Sequence, residues 1–184
     1  MNKLYKKISI GFIGLSHLGL VSSVAAAEKG FNVIGYDDNK ILVNNINNGD
    51  TKIVEPKLNY LLKKNKINLN FTSDRHLLKS CNIVYVSKDV LTDKDNVSDT
   101  KIITKALQSV IKYFKKNAII IILSQVPPGF TKKINWPLKQ LYYQVETLIF
   151  GNAMRRALNP ERIILGCYDQ KIKIDSKLNY FLKS

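Results

Sequence analysis

Apolar residues fall along this chain in short solid runs, separated by stretches where they recur at helical spacing. Ile8-Ser9-Ile10-Gly11-Phe12-Ile13 and Phe31-Asn32-Val33-Ile34-Gly35-Tyr36 read as two strands joined by a helix of small residues. Asn82 to Val86 and Ala118 to Leu123 are apolar almost throughout, the pattern of parallel strands buried on both faces. A short strand is predicted around Leu69 to Phe71. Helices are predicted over Asn39 to Asn48, with Ile41, Leu42 and Ile46 near one face and Gly49 as the stop, and from Pro56-Lys57-Leu58 to Lys64. Proline is well placed at such a start, where its missing N–H costs nothing. Ser73-Asp74 reads as an N-cap for Arg75 to Lys79. Ser98 or Asp99 reads as the cap of a long helix, Lys101 to Phe114, whose Ile102, Ile103, Ala106, Leu107, Val110, Ile111 and Phe114 recur at helical spacing. The polar stretch Asp89 to Asp99 is a loop beyond a strand's carboxyl end. The apolar stretches Tyr142 to Ile149 and Arg162 to Gly166, then a lysine-rich tail, complete the chain. Alternating strands and helices with apolar strands predict an α/β fold, a doubly wound parallel sheet in one domain over residues 1–184.

Composition narrows the function classes. At 184 residues and 45% hydrophobic content the chain buries a core of its own. A net charge of +15 raises a nucleic-acid reading. The lysines are spread along the whole chain, however, and the abundance of Asn and Ile fits an A/T-biased coding sequence, so a solvated lysine-rich surface is the better account. That surface attracts anionic ligands. Cys81 and Cys167 are too few for a disulfide framework or a zinc cluster, and both are expected to be buried or half-buried. Two histidines, His17 and His76, do not make a metal site. Lys3, Lys6 and Lys7, an apolar run and Ala25-Ala26-Ala27 imitate a secretory leader. His17 and three glycines interrupt that run, and cleavage after Ala27 would remove a strand the second strand needs. With no run long enough to span a bilayer, the expectation is a cytoplasmic protein without membrane attachment.

Chemistry enters at the first strand's end. Gly14-Leu15-Ser16-His17-Leu18-Gly19 opens the small-residue helix, and Asp37 follows the second strand about 20 residues on. This is the first half of a Rossmann-like dinucleotide-binding unit: amides at the helix mouth for a diphosphate, and a carboxylate for a ribose. Ser16 replaces the middle glycine of the fingerprint and is small enough for close backbone approach. Ligands of open parallel sheets bind beyond strand carboxyl ends, which places Ser87 and the Ser124-to-Gly129 loop beside Gly14 and Asp37. The alternative for Asp37 is a solvated acid at a strand end; for Glu146 it is a surface carboxylate in an apolar run.

From Lys7 almost to the C-terminus the pattern resembles the nucleotide-sugar (UDP-glucose/GDP-mannose) dehydrogenase family. The resemblance rests on the Gly14 turn with Asp37, the Glu55-Pro56 pair, Val86-Ser87, Asp99, Ser124-Gln125-Val126-Pro127-Pro128-Gly129-Phe130-Thr131, the Glu146-to-Ala153 segment and Asn159-Pro160-Glu161-Arg162-Ile163-Ile164-Leu165-Gly166. It implies an N-terminal NAD-binding domain of an oxidoreductase that turns a sugar CH–OH into a carboxylate through a cysteine-bound intermediate. By that likeness Gly14, Ser16, His17, Leu18 and Gly19 cradle the diphosphate, Asp37 bonds the adenosine ribose, and Ser87 and Gln125 lie near the cofactor. An acid at the ribose favours NAD over NADP. Glu146, Thr147 and Leu148 match a segment that meets the UDP-sugar, with Glu146 and Gln125 the catalytic candidates.

Three departures qualify this. Gln125 stands where many members carry a threonine that positions water, although glutamine also donates and accepts hydrogen bonds. Ile149 and Phe150 stand where many carry arginine and a second glutamate, and phenylalanine transfers no proton. By the resemblance, residues 167–184 approach the family's central helix, and the sugar-binding domain and catalytic cysteine are expected to lie outside these 184 residues. Without a thiol nucleophile the aldehyde has no covalent route to the acid. The expectation is an NAD-binding half that is inactive alone and completed by a second polypeptide. The alternative is a non-catalytic NAD-binding or regulatory module, with nucleic-acid binding third.

Overall fold

The computed structural model describes residues 8–90, 99–171 and 173–184. The continuous apolar runs form the middle of a seven-stranded sheet of order β3-β2-β1-β4-β5-β6-β7. These strands are β1 (Ser9–Ile13), β2 (Asn32–Tyr36), β3 (Leu69–Thr72), β4 (Ile83–Val86), β5 (Ile119–Ile122), β6 (Leu141–Gln144) and β7 (Leu165–Gly166). Every pairing is parallel except β6 with the two-residue edge strand β7. The α/β, doubly wound sheet expected from the sequence is therefore present, with one antiparallel edge added. All four residues of β4 and of β5 are buried, as their unbroken apolar character requires.

Helices cover both faces. Alternate strand residues Ile8, Ile10 and Phe12, with Tyr85, Ile121 and Leu123, pack under α1 (His17–Glu28) and α6 (Ser176–Lys183). Their neighbours Ile13, Val84, Val86, Ile120 and Ile122 pack under α4 (Lys101–Val110). The outer side of α1, through Val21, Val24 and Ala25, meets α2 (Lys40–Asn47), α3 (Leu58–Lys64) and α5 (Ala153–Leu158). Being sandwiched explains the small residues of α1: a helix buried all round needs close approach on every side.

Several expected details change. Arg75–Ser80 is a 3-10 segment capped by Asp74, whose carboxylate accepts from His76 N at 2.9 Å; Ser73 makes no such bond. The helix expected to run to Phe114 ends at Val110 and tightens into a 3-10 turn over Ile111–Tyr113, a common way to finish a helix. Asp99 accepts from Lys101 N at 3.0 Å. Ser98, most of the 89–99 loop, and Lys3, Lys6 and Lys7 lie outside the described residues. On α2 the buried residues are Val43 and Ile46, while Ile41 is exposed. Cys81 is buried, but Cys167, expected at least half-covered, is exposed because it follows an edge strand of only two residues. The tail folds back: Asp175 caps α6, and Leu178 is fully buried against the sheet.

Candidate functional site

Strand order reverses between β1 and β4. The chain leaves β1 toward β2 and β3, then returns to β4 on the other side, and the carboxyl ends diverge into a crevice there. Gly14 turns out of β1 with φ +92°, and its N–H bonds Tyr36 O at 2.9 Å. A Cβ on Gly14 would stand 2.8 Å from the Lys88 Cα. Gly19 packs tighter still: a Cβ there would lie 1.8 Å from the Gly14 carbonyl oxygen. The turn thus folds directly onto the first turn of α1. The first helical bond is Leu20 N to Ser16 O at 2.9 Å, so the amides of His17, Leu18 and Gly19 precede the intrahelical ladder. That end of a helix suits an anion.

Asp37, immediately past β2, is joined to this turn. Leu15 N donates to its Oδ2 at 2.9 Å and Asn39 N to its Oδ1 at 3.0 Å. The residue is 3% exposed, so it is not the solvated strand-end acid of the alternative reading. Lys88 Nζ lies 3.6 Å from Asp37 Oδ2 and 3.5 Å from Asp38 Oδ1. Ser16 sits at the N-cap of α1, yet its hydroxyl accepts from Asp89 N at 3.2 Å and makes no bond to the helix amides. Ser87 is fully buried, with its hydroxyl 3.1 Å from the carbonyl oxygens of both Ile13 and Gly14. The Ser124 hydroxyl donates to Lys88 O at 2.6 Å, which brings the β5 exit loop to the same crevice. Gln125, next along, is exposed.

The remaining candidates gather elsewhere. Glu146, Thr147 and Leu148 line a half-open cavity of about 90 Å³ on the α1–α6 face, together with Leu18, Tyr85 and Phe181. Glu146 is half-buried and its carboxylate accepts from Leu148 N, while Arg156 Nε donates to Thr147 O at 2.7 Å. Tyr85, wholly buried, donates its hydroxyl to Gln144 Oε1 at 3.0 Å, and burial pushes its pKa above the ordinary tyrosine value. Leu18 is the one cofactor candidate among the lining residues, so the cavity adjoins the helix mouth.

Two residues of the site, Glu55 and Lys88, have no role that their sequence motifs alone suggest. Glu55 Oε1 lies 2.9 Å from His17 Nε2 and accepts from Gly151 N at 2.7 Å; its Oε2 accepts from Ala153 N at 3.2 Å. Burial raises the Glu55 pKa, but the bonds from His17, Gly151 and Ala153 outweigh it and hold the carboxyl below its ordinary value. The His17 ring also rests against Phe150, centroids 4.3 Å apart. A single acid between Val54 and Pro56 was the available signal for Glu55. For Lys88 it was a cation immediately after a central strand, at the switch point. Burial lifts the Cys81 thiol to about 12, as suits a packing residue. Among the described residues no three His, Cys, Asp or Glu side chains converge as a metal site, and no helix is long and apolar enough to cross a membrane.

Comparisons with known proteins bear on this crevice. The family model described as the UDP-glucose/GDP-mannose dehydrogenase family, NAD binding domain, matches residues 7–180. An uncharacterized protein of Methanocaldococcus jannaschii is 33% identical over 167 residues, 86% of this chain and 18% of that protein. A UDP-N-acetyl-D-mannosamine dehydrogenase of Methanococcus maripaludis is 32% identical over 168 residues, 88% of this chain and 39% of that enzyme. A UDP-glucose dehydrogenase structure from Pyrobaculum islandicum shares the fold with TM-score 0.82 at 21% identity, covering 99% of this chain and 44% of that one. The chain therefore spans less than half the length of each.

Proposed function

This chain belongs to the UDP-glucose/GDP-mannose dehydrogenase family, of which it carries the NAD-binding domain, and from that premise we propose that it holds NAD for oxidation of the CH–OH of a nucleotide sugar such as UDP-glucose. Bound NAD supplies a hydride acceptor. In this reading the protein's own residues bind and orient. Gly14, Ser16, His17, Leu18 and Gly19 offer main-chain amides to a diphosphate, and Asp37 receives the adenosine ribose. Ser87 supports the turn from beneath, and Gln125 faces the cofactor from the β5 exit loop. Glu146, Thr147 and Leu148 meet the sugar nucleotide, with Glu146 the nearest candidate for moving a proton. The observation that carries the reading is the 2.9 Å bond between Leu15 N and Asp37 Oδ2, which ties the ribose acid to the phosphate turn in one rigid unit.

Relatives more than twice as long supply the rest of the proposal: turnover by this chain needs a second polypeptide bearing a thiol nucleophile and the sugar-binding half. Calorimetry with NAD is the first test. Asp37→Ala is expected to weaken binding by about 1–3 kcal/mol, the cost of losing a charged hydrogen-bond partner; unchanged affinity would remove Asp37 from the site. Mixing the chain with a separately produced C-terminal half of a relative is the second. NADH formed from UDP-glucose only in the mixture supports the split-enzyme reading. NAD binding with no rescue makes the chain a non-catalytic module.

A further inference from the structure

Lys88 occupies a position that a ribose-binding carboxylate would be expected to keep open. The Asp37 side chain is 2% exposed, and each of its oxygens already accepts a backbone N–H. A carboxylate offers about four acceptor directions. Two are taken by Leu15 and Asn39, and the ammonium of Lys88 stands 3.6 Å from Oδ2. A ribose diol must use what those partners leave.

We propose that Lys88 is an internal competitor for the ribose carboxylate, its ammonium holding the place at Asp37 that the adenosine sugar must take, so that this one side chain sets the affinity for NAD. This rests on the NAD reading above and adds a residue that lowers affinity. The main chain at Lys88 has no room to retreat. Its Cα lies against the Gly14 turn, its carbonyl accepts from Ser124 Oγ at 2.6 Å, and the next amide, Asp89 N, donates to Ser16 Oγ. Displacement must therefore come from the four-carbon stem, which is 28% exposed and has solvent beside it. Asp38 makes that swing cheap. Its carboxylate is 76% exposed and already 3.5 Å from the ammonium, so Lys88 keeps one anionic partner as it leaves the other. Ser16 thus acquires a purpose at the departed glycine: its hydroxyl pins the strap that carries Lys88.

The test compares NAD binding by calorimetry in the unmodified chain, Lys88→Met and Lys88→Arg. Lys88→Met is expected to tighten binding about threefold, the scale of a partly exposed ion pair, and Lys88→Arg to change it little. Amine acetylation read by mass spectrometry gives an independent measure: Lys88 should react faster when the chain is saturated with NAD. Weaker or unchanged binding in Lys88→Met, or slower acetylation with NAD, overturns the proposal and would make Lys88 a diphosphate ligand or a bystander. No binding to any of the three defeats the NAD reading and the proposal with it, whereas binding that Lys88→Met fails to improve defeats the proposal alone.

Discussion

The crevice between β1 and β4 and the stretch from Val145 to Lys171 are built on opposite plans. In the crevice each strand pairs in register on both sides, and the turn, the acid and the strap answer one another's polar groups. In the later stretch the chain pairs through one two-residue strand, and Phe150, Ile164 and Tyr168 stand exposed. Besides the core packing of Ala153 and Met154, its fixed points are single bonds: Val145 N to Ile164 O, Arg156 to Thr147 O, and the two amides held by Glu55. A region with neighbours on every side specifies its own geometry. The edge region is anchored where Ala153 and Met154 of α5 pack against α1, and Glu55 adds the polar tie between its loop and the crevice.

Substitutions can break or sharpen that contrast. The largest effect belongs to Gly14→Val. A left-handed φ and a Cβ pressed on the Lys88 main chain leave nothing soft to yield, so a loss of about 3 kcal/mol or more in urea unfolding is expected, with NAD binding abolished. A folded Gly14→Val that still binds NAD would show the turn is not the cradle. Glu55→Gln comes next. It should cost about 1–3 kcal/mol, because an amide cannot accept from both Gly151 and Ala153. Its sign with pH is fixed. The folded Glu55 carboxyl titrates below its ordinary value, so its contribution is present above the ordinary glutamate range. The contribution is lost as pH falls through the depressed folded value. The stability gap between the unmodified chain and Glu55→Gln should therefore narrow on acidification; a gap that widens would reverse the assignment. Phe150→Ala is the smallest. The ring is 80% exposed and touches His17 on one side, so unfolding should shift by about 0.5 kcal/mol or less. A loss near that of Glu55→Gln would mean that the Phe150 ring helps hold the edge region beside Glu55 and the buried α5 residues.

Legibility followed the same division. The strand, turn, helix, strand and acid from Ile8 to Asp37 could be read residue by residue, since apolar runs and a glycine turn are local signals. Ser87 was placed correctly at the crevice, but not its burial under the turn, which depends on β4 lying beside β1. Glu146, Thr147 and Leu148 could be assigned to the sugar nucleotide only through the family resemblance; that they line a cavity on the α1–α6 face has no local signal. Only the way the tail packs creates that face.

By itself, then, the order of residues determined the α/β alternation, the buried parallel strands and the phosphate-type turn with its acid, because periodicity and backbone freedom act over a few neighbours. Tertiary structure alone decided that Glu55 grips a loop nearly a hundred positions away, that Ser16 serves the strap, and that Lys88 lies over Asp37. Those contacts join segments whose separation carries no periodic trace, and they exist only once parallel strands bring their carboxyl ends together.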